Sequence, residues 1–224
     1  MSLLHEYNFE DGTSQGWSTV STDDTLVEVS TDAGMDGTTY GMRRVFLTQN
    51  NLSVNPIVGL GESYTELYAK IIFRIVGGSF TVNGGYTTTL GFRHSSFNIG
   101  STPLLTWTST GGGTWSLGSE TLEVGVEYSI QIHFVIDSVN GGTEWWLNDE
   151  LIESNLDQDT SGVVGNINAI VMFPSRVGTC TADTEFHWDE VKVSDSFISI
   201  SPLVPLPRLF YGKPSPPFEQ EVEP

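Results

Sequence analysis

Cysteine and basic side chains are the residue classes that this chain has least of. It has 1 Cys, Cys180, so an internal disulfide is excluded and stability must come from packing or assembly. Lys and Arg together number 9 against 28 Asp and Glu, which gives a formal net charge of -19. A surface field of that sign repels phosphate backbones and anionic lipid headgroups, so we expect no nucleic-acid partner and no binding to membrane surfaces.

Long apolar runs are also missing. No window approaches the ~18 apolar residues that a membrane-spanning helix needs, so membrane insertion is not expected. The start, MSLLHEYNFEDG, has no basic region followed by an apolar stretch, and no signal peptide is visible. We therefore expect the chain to be made in the cytoplasm and not exported by a visible signal peptide.

Strand patterns fill most of the chain. TELYAKIIFRIVGG alternates and places one apolar face at Leu67, Ala69, Ile71, Phe73 and Ile75. VEYSIQIHFVID, at 126–137, alternates likewise and leaves Gln131 and His133 on the opposite, polar face. VNGG at 82–85 and at 139–142, TGGG at 110–113 and LNDE at 147–150 are typical of tight turns. These patterns predict two antiparallel sheets packed face to face in one domain over residues 1–200.

The last part of the chain, residues 201–224, differs from the rest in composition. Frequent prolines remove backbone donors and forbid a central strand, so an extended tail is expected there. Its apolar residues are Leu203, Leu206, Leu209, Phe210, Tyr211 and Phe218. We interpret this tail as an arm that attaches the domain to protein partners in an assembly.

Motifs at both ends of the domain carry a family resemblance. EYNFEDGTSQGW near the start and EFHWDEVKVSD near residue 190 resemble the first and last strands of concanavalin A-like, laminin-G-like jelly rolls and related carbohydrate-binding modules. GTTYGMRRVF, SYTELYAKIIFRI, VGVEYSIQIHFVID and TEWWLNDELI resemble the strands between them. The resemblance covers residues 4–196 and implies an all-β, two-sheet antiparallel jelly-roll sandwich.

The resemblance also implies a possible metal site. In several carbohydrate-binding relatives, acidic residues of the two end motifs surround a structural calcium ion, and Glu10, Asp11 and Asp189 match those positions. Calcium takes about 6–8 oxygen ligands, some from backbone carbonyls. The alternative is that these carboxylates cap turns and accept backbone hydrogen bonds. No other cofactor is expected.

Aromatic side chains are the main candidates for glycan binding, because sugar rings stack on Trp and Tyr while polar neighbours bond their hydroxyls. The candidates are Trp107, Trp115, Tyr86 and Trp146, with Gln131 and His133 as polar partners. Trp145 and Trp146 are adjacent in a strand and must point to opposite faces. The alternative is that the tryptophans fill the core of a large sandwich.

The triplet QIH at 131–133 resembles one motif of alginate-lyase-type jelly rolls. There, the resemblance implies, the Gln helps neutralise a uronate carboxylate and the His assists removal of the C5 proton, together with an Arg, such as Arg74 or Arg93, and a Tyr. The companion lyase motifs are missing, the net charge repels a polyuronate, and the Glu-x-Asp-x-x-Glu strand of the hydrolases is absent. No catalytic residue is predicted, and we expect no enzyme.

The sequence therefore predicts a non-enzymatic structural or adhesive protein of a larger assembly. A jelly roll with a Pro-rich arm resembles bacteriophage decoration, tail or fibre proteins, which would place it on a virion surface. A carbohydrate-binding module is the alternative, and an alginate-lyase-like polysaccharide lyase is the third possibility.

Overall fold

The fold is known from a computed structural model, which describes residues 2–18, 25–47, 57–77, 85–92, 95–99, 104–109, 116–121, 123–161, 167–177 and 184–199. The predicted tail at 201–224 lies outside these residues, so the attachment arm and its six apolar anchors stay a prediction. Within the described ranges, no helix has the length and apolarity to cross a membrane.

The described chain is almost entirely strand, as the alternating patterns predict. The strands are β1 (Leu3–Tyr7), β2 (Thr25–Ser30), β3 (Gly41–Phe46), β4 (Ile57–Tyr64), β5 (Glu66–Gly77), β6 (Gly85–Phe92), β7 (Ser95–Ile99), β8 (Leu104–Ser109), β9 (Ser116–Thr121), β10 (Glu127–Val135), β11 (Gly141–Leu147), β12 (Glu150–Gln158), β13 (Ile167–Val177) and β14 (Thr184–Ser194). A short 3₁₀ helix, Thr31–Ala33, follows β2.

Eight strands form the largest sheet, in the order β12-β11-β10-β5-β14-β3-β2, with β1 pairing beside the second half of β14. All these pairs are antiparallel. The chain-end strands β1 and β14 are therefore neighbours, as the resemblance to jelly rolls implies. Smaller sheets have the orders β4-β13-β6 and β7-β8-β9.

The core lies against one face of the large sheet. Alternate residues of β5 and β10 enter it, including Leu67, Ile71, Ile132 and Phe134, each at most 1% exposed. Val58 and Leu60 of β4 and Ile167 and Ile170 of β13 belong to the same buried cluster. The fold is thus an all-β antiparallel sandwich, which confirms the predicted fold class.

The opposite face of the large sheet, here called the polar face, is covered in two places. The loop at 31–40 lies over one part, where Arg74 donates to the Asp32 carbonyl and Asp36 N approaches Glu127. Residues 195–199, which follow β14, lie over another part, where Ile198 contacts Gln131 and Lys70. Polar side chains on this face are consequently buried, and its centre is not the freely wet surface that alternation alone suggests.

Candidate active site

Two rows of side chains cross the polar face at right angles to the strands. The first, the glutamine row, joins Trp146 of β11, Gln131 of β10, Lys70 of β5 and Lys192 of β14 as successive cross-strand neighbours. The second, the histidine row, lies two residues along each strand. It joins Glu144, His133, Tyr68 and Ser194 in the same order of strands. Directly opposed residues of one face lie close enough for their side chains to interact, so the rows form one polar cluster.

His133 is held from both sides by carboxylates. Its Nδ1 lies 2.9 Å from Glu144 Oε2 and its Nε2 lies 2.9 Å from Glu66 Oε1. Carboxylates only accept hydrogen bonds, so each contact needs an N–H on the ring. The protonated ring has two N–H groups and keeps both hydrogen bonds, whereas the neutral ring has one and keeps only one. The Glu144 side chain is 17% exposed and also accepts from Ser154 Oγ, whereas the Glu66 side chain is 54% exposed. Glu144 is therefore the fixed partner and Glu66 the displaceable one.

Tyr68 stacks on His133. The two ring centroids are 4.0 Å apart and the rings are almost parallel, with an interplanar angle of 2°. Burial raises the pKa of the Tyr68 phenol, and the negative charges of Glu144 and Glu66 raise it further. The phenol is therefore kept protonated, which makes it a proton donor rather than a base at neutral pH.

Lys70 and Gln131 place two polar groups beside this pair. Lys70 is only 2% exposed, and its ammonium is hydrogen-bonded to Asp149 and, at 3.0 Å, to the carbonyl of Ile198. Burial lowers the pKa of Lys70, while the bond to Asp149 opposes that shift. Gln131 is 1% exposed, and its Oε1 accepts from Ile198 N at 3.0 Å. Among the described residues, Gln131 Nε2 has no hydrogen-bond partner.

A pocket opens at the edge of the glutamine row. Its volume is ≈ 330 Å³, and it is lined by Asp36, Lys70, Ile72, Glu190, Lys192, Ile198 and Ser199. It therefore lies between the loop at 31–40 and the segment at 195–199, with sheet residues as its floor. A sugar ring requires an opening of this kind to reach the buried polar groups.

Arg74 does not join the cluster, although the sequence names it as a partner of His133. It lies in a separate charged row, where its Nη1 bonds Glu127 and its Nη2 donates to His187 Nδ1 at 2.9 Å. Arg43 continues that row by pairing with Glu185 at 2.7 Å. These groups bond one another, so the charged row is a structural ion-pair network. Arg93 lies outside the described residues.

The three calcium candidates accept hydrogen bonds from the chain. Glu10 Oε1 accepts from Thr39 N and Tyr40 N at 2.7 and 2.8 Å, and Asp11 caps its own turn through Thr13. Asp189 accepts from Met35 N, Glu190 N and the Thr38 hydroxyl. In the part of the chain that the structure describes, no group of three or more His, Cys, Asp or Glu is placed to hold a metal ion. Structural calcium stays a prediction.

The structure brings together three of the predicted glycan candidates, Trp146, Gln131 and His133. Trp145 points the other way and is 1% exposed in the core, as the adjacency of the two tryptophans predicts. Trp115 and the side chains of Tyr86 and Trp107 lie outside the described part. Sequence reasoning did not assign a role to Tyr68, Lys70, Glu66, Glu144 or Lys192. The alternation of β5 did indicate that Tyr68 and Lys70 face away from the core. It could not indicate their neighbours, because the register between β5 and β10 is set by the tertiary structure.

Several solved structures share this fold. An endo-beta-1,4-glucuronan lyase from the fungus Trichoderma reesei superposes with a TM-score of 0.63 at 12% identity, over 88% of this chain and 97% of that chain. The GH131 beta-glucanase catalytic domain from Podospora anserina gives 0.57 at 14% identity, over 89% and 98%. The alginate lyase Aly36B gives 0.55 at 11% identity, over 87% and 98%. No protein-family model matches the chain, and no curated protein matches it.

These likenesses support the all-β jelly-roll sandwich fold and correct two sequence-based predictions. The structures that match over nearly their whole length include two polysaccharide lyases and a glucanase. The prediction of a non-enzymatic structural or adhesive virion protein was wrong, and so was the prediction that the chain is not an enzyme. The error came from judging the triplet at 131–133 by its linear companion motifs, whereas its partners come from neighbouring strands.

Proposed function

We propose that this chain is a carbohydrate-active enzyme that cleaves uronate-containing polysaccharides by β-elimination on its polar face. The observation that carries the proposal is the stacked pair of Tyr68 and His133 with Lys70 and Gln131 in the adjacent row. The fold likeness to a glucuronan lyase and an alginate lyase supports it. The proposal requires a base, a proton donor and a group that neutralises the uronate carboxylate, all on one face.

Lys70 and Gln131 are the proposed neutralising groups. Removal of the C5 proton places charge on the neighbouring carboxylate, so donors aimed at that carboxylate stabilise the transition state more than the ground state. The Lys70 ammonium supplies a positive charge in a buried setting, and the Gln131 amide supplies a neutral donor. Both are most effective when water is excluded, because charge interactions strengthen at low dielectric constant.

His133 is the proposed base. Glu144 accepts from Nδ1 and so fixes the orientation of the ring and the position of its proton. Displacement of the exposed Glu66 side chain by a substrate leaves Nε2 with a free lone pair. In the neutral ring, Nε2 takes the proton from C5, and the resulting imidazolium is stabilised by Glu144.

Tyr68 is the proposed acid. The electron pair from the C5–H bond forms the C4–C5 double bond while the C4–O bond breaks, and the leaving oxygen takes a proton from the phenol. The raised pKa of Tyr68 keeps that proton in place before the reaction. The products are one fragment with an unsaturated uronate at its new non-reducing end and one fragment with a hydroxyl at its new reducing end, with no water consumed.

Non-catalytic glycan binding is the second candidate function. An aromatic cluster favours it, because Trp146 and Phe197 have ring centroids 5.1 Å apart and Tyr68 lies 6.2 Å from Trp146. Such rings can stack on the C–H faces of sugars without any chemistry. Binding of an oligosaccharide without turnover would favour this candidate.

The test is turnover of polyglucuronate and alginate by the full chain, followed by the ultraviolet absorbance of the unsaturated product. His133→Ala and Tyr68→Phe are each expected to lower kcat by about 100-fold or more, the usual effect of losing a proton-transfer group. His5→Ala and Tyr40→Phe are matched controls, since both residues lie outside the two rows. Turnover that survives in His133→Ala and Tyr68→Phe would contradict the assignment.

A further inference from the structure

The chain does not leave the sheet where β14 ends. Ser194 Oγ donates to the carbonyl of Ser2 at 2.9 Å, and Asp195 Oδ1 accepts from Ser2 N at 2.9 Å. The segment at 196–199, here called the strap, then returns across the polar face. Its start is thus fixed to the N-terminal strand, while its remaining residues lie over the candidate site.

The strap makes its contacts to the site through one aromatic ring and the two backbone polar groups of Ile198. Phe197 lies edge-on to Trp146 at 5.1 Å and to Tyr68 at 6.4 Å between ring centroids. Ile198 N donates to Gln131 Oε1 at 3.0 Å, and the Ile198 carbonyl accepts from Lys70 Nζ at 3.0 Å. The strap therefore contacts both side chains that the proposed function assigns to the uronate carboxylate: it places an acceptor on Lys70 and bonds the side-chain carbonyl oxygen of Gln131.

One further feature favours a ligand site over finished packing. Gln131 is 1% exposed, yet its Nε2 has no hydrogen-bond partner in the described part of the chain. A buried donor without an acceptor is unfavourable and is uncommon in a purely structural contact. A uronate offers carboxylate and hydroxyl oxygens, which are the acceptors that this donor and Lys70 require.

The strap is anchored at Ile198, which is 3% exposed, and is more loosely held on either side of it. Phe197 is 38% exposed although it is a large apolar side chain, and residues 195–199 form no strand. The pocket of ≈ 330 Å³ opens directly beside Ile198 and Ser199. A ligand can therefore enter next to the strap and compete with it for Lys70.

We propose that the strap at 196–199 is an autoinhibitory segment that occupies the uronate-binding groups in the free chain and is displaced when a polyuronate binds. The Ile198 carbonyl oxygen accepts a hydrogen bond from Lys70 at the position that a carboxylate oxygen of the substrate takes. This inference rests on the proposed function, because it takes the site's ligand to be a uronate. Its consequence is that substrate binding is opposed by the contacts of Phe197 and Ile198.

Hydrogen exchange of the peptide that contains residues 196–199 tests the displacement in the wild-type full chain. A β-1,4-linked glucuronate oligomer is the ligand. Bound oligomer is expected to raise the exchange rate at Ile198 N about 10-fold or more, since this amide loses its acceptor on Gln131. Bound oligomer with unchanged or slower exchange would overturn the strap proposal and leave the proposed function intact.

Affinity of a variant gives the second readout. Phe197→Ser combined with Ile198→Gly is expected to lower the Kd for the oligomer about 10-fold, because the competing segment is weakened. Val139→Ser is the matched control, as Val139 is an apolar residue that is 67% exposed in the turn between β10 and β11. Binding by the variant alone would also support the strap. If neither wild type nor variant binds the oligomer, the proposed function fails and the strap proposal fails with it.

Discussion

At the scale of single residues, the two carboxylates on His133 have different roles in the proposed mechanism. Glu144 is mostly buried and is fixed by Ser154, whereas Glu66 is more than half exposed at 54%. A base needs one oriented nitrogen and one free nitrogen, so only the Glu144 contact should persist with substrate bound. Glu144 is then a positioning residue, and Glu66 holds the ring only in the free chain.

Replacing these two glutamates one at a time distinguishes their roles. Glu144→Ala is expected to lower kcat at least about 10-fold with little change in KM, because His133 loses its orienting acceptor. Glu66→Ala, the matched control on the other nitrogen, should keep kcat near the wild-type value. Equal losses in both variants, measured by product absorbance, would contradict this division.

Asp189 makes the free energy of unfolding depend on pH. Burial raises the pKa of its carboxyl from 3.8 to about 6, although its hydrogen bonds from Thr38, Glu190 and Met35 oppose the shift. Between these values the folded chain binds more protons than the unfolded chain, so the stabilisation present below pH 3.8 is lost as the pH rises through about 6. The loss is at most about 3 kcal/mol, from the size of the shift.

Asp189→Asn removes this titration. Denaturant unfolding at several pH values should show a wild-type stability that falls relative to the variant across the window from 3.8 to about 6. The variant also loses a pH-independent amount of stability, because the Asn amide brings an N–H donor to a position where the neighbouring groups also donate. Parallel curves for the two chains would show that Asp189 does not titrate in this window.

At the scale of elements, the interior strands could be predicted from the sequence and their assembly could not. The alternation in β5 and β10 fixed which residues enter the core, since a slip by one residue exposes every apolar side chain. The turn at LNDE was also predicted, and Asn148 and Asp149 have positive φ there, at 51° and 66°.

The contacts that form the candidate site cannot be predicted from the local sequence. A bulge in β14, with Glu190 at φ 49°, lets Lys192 join Lys70 on the polar face. The pairing of β5 with β10 places Tyr68 opposite His133 across 65 residues of chain, and the strap buries Gln131 from a still more distant position. Linear motifs cannot show such contacts, so a search for companion motifs along the chain could not find this cluster.

The pairing of β11 with β12 depends on Gly142. Its φ is +145°, and a Cβ there would lie 2.2 Å from the Asn155 carbonyl oxygen. Gly142→Ala is therefore expected to cost about 3 kcal/mol or more, as the two backbones must separate. Gly125→Ala, with φ +83° and open space around it, should cost only about 1–2 kcal/mol. Equal costs in denaturant unfolding would contradict this role of Gly142.

At the scale of the whole molecule, the net charge of -19 is a poor guide to the ligand. Two of the chain's 9 basic residues, Lys70 and Lys192, lie side by side in the glutamine row. Solvent ions screen the distant acidic surface within about 8 Å at physiological ionic strength, whereas Lys70 and Lys192 line the pocket itself, each paired with a carboxylate. Net repulsion therefore affects the rate of encounter more than it decides what the site binds.

The mass of the product from polyglucuronate shows whether the chain cleaves this polymer by elimination. The full chain is incubated with the polymer, and the oligomers released are analysed by mass spectrometry. We expect ends that are unsaturated and lighter by one water than hydrolysis products, because elimination consumes no water. Hydrated ends would identify a hydrolase, and an intact polymer would show that the rows on the polar face do not catalyse cleavage of this substrate.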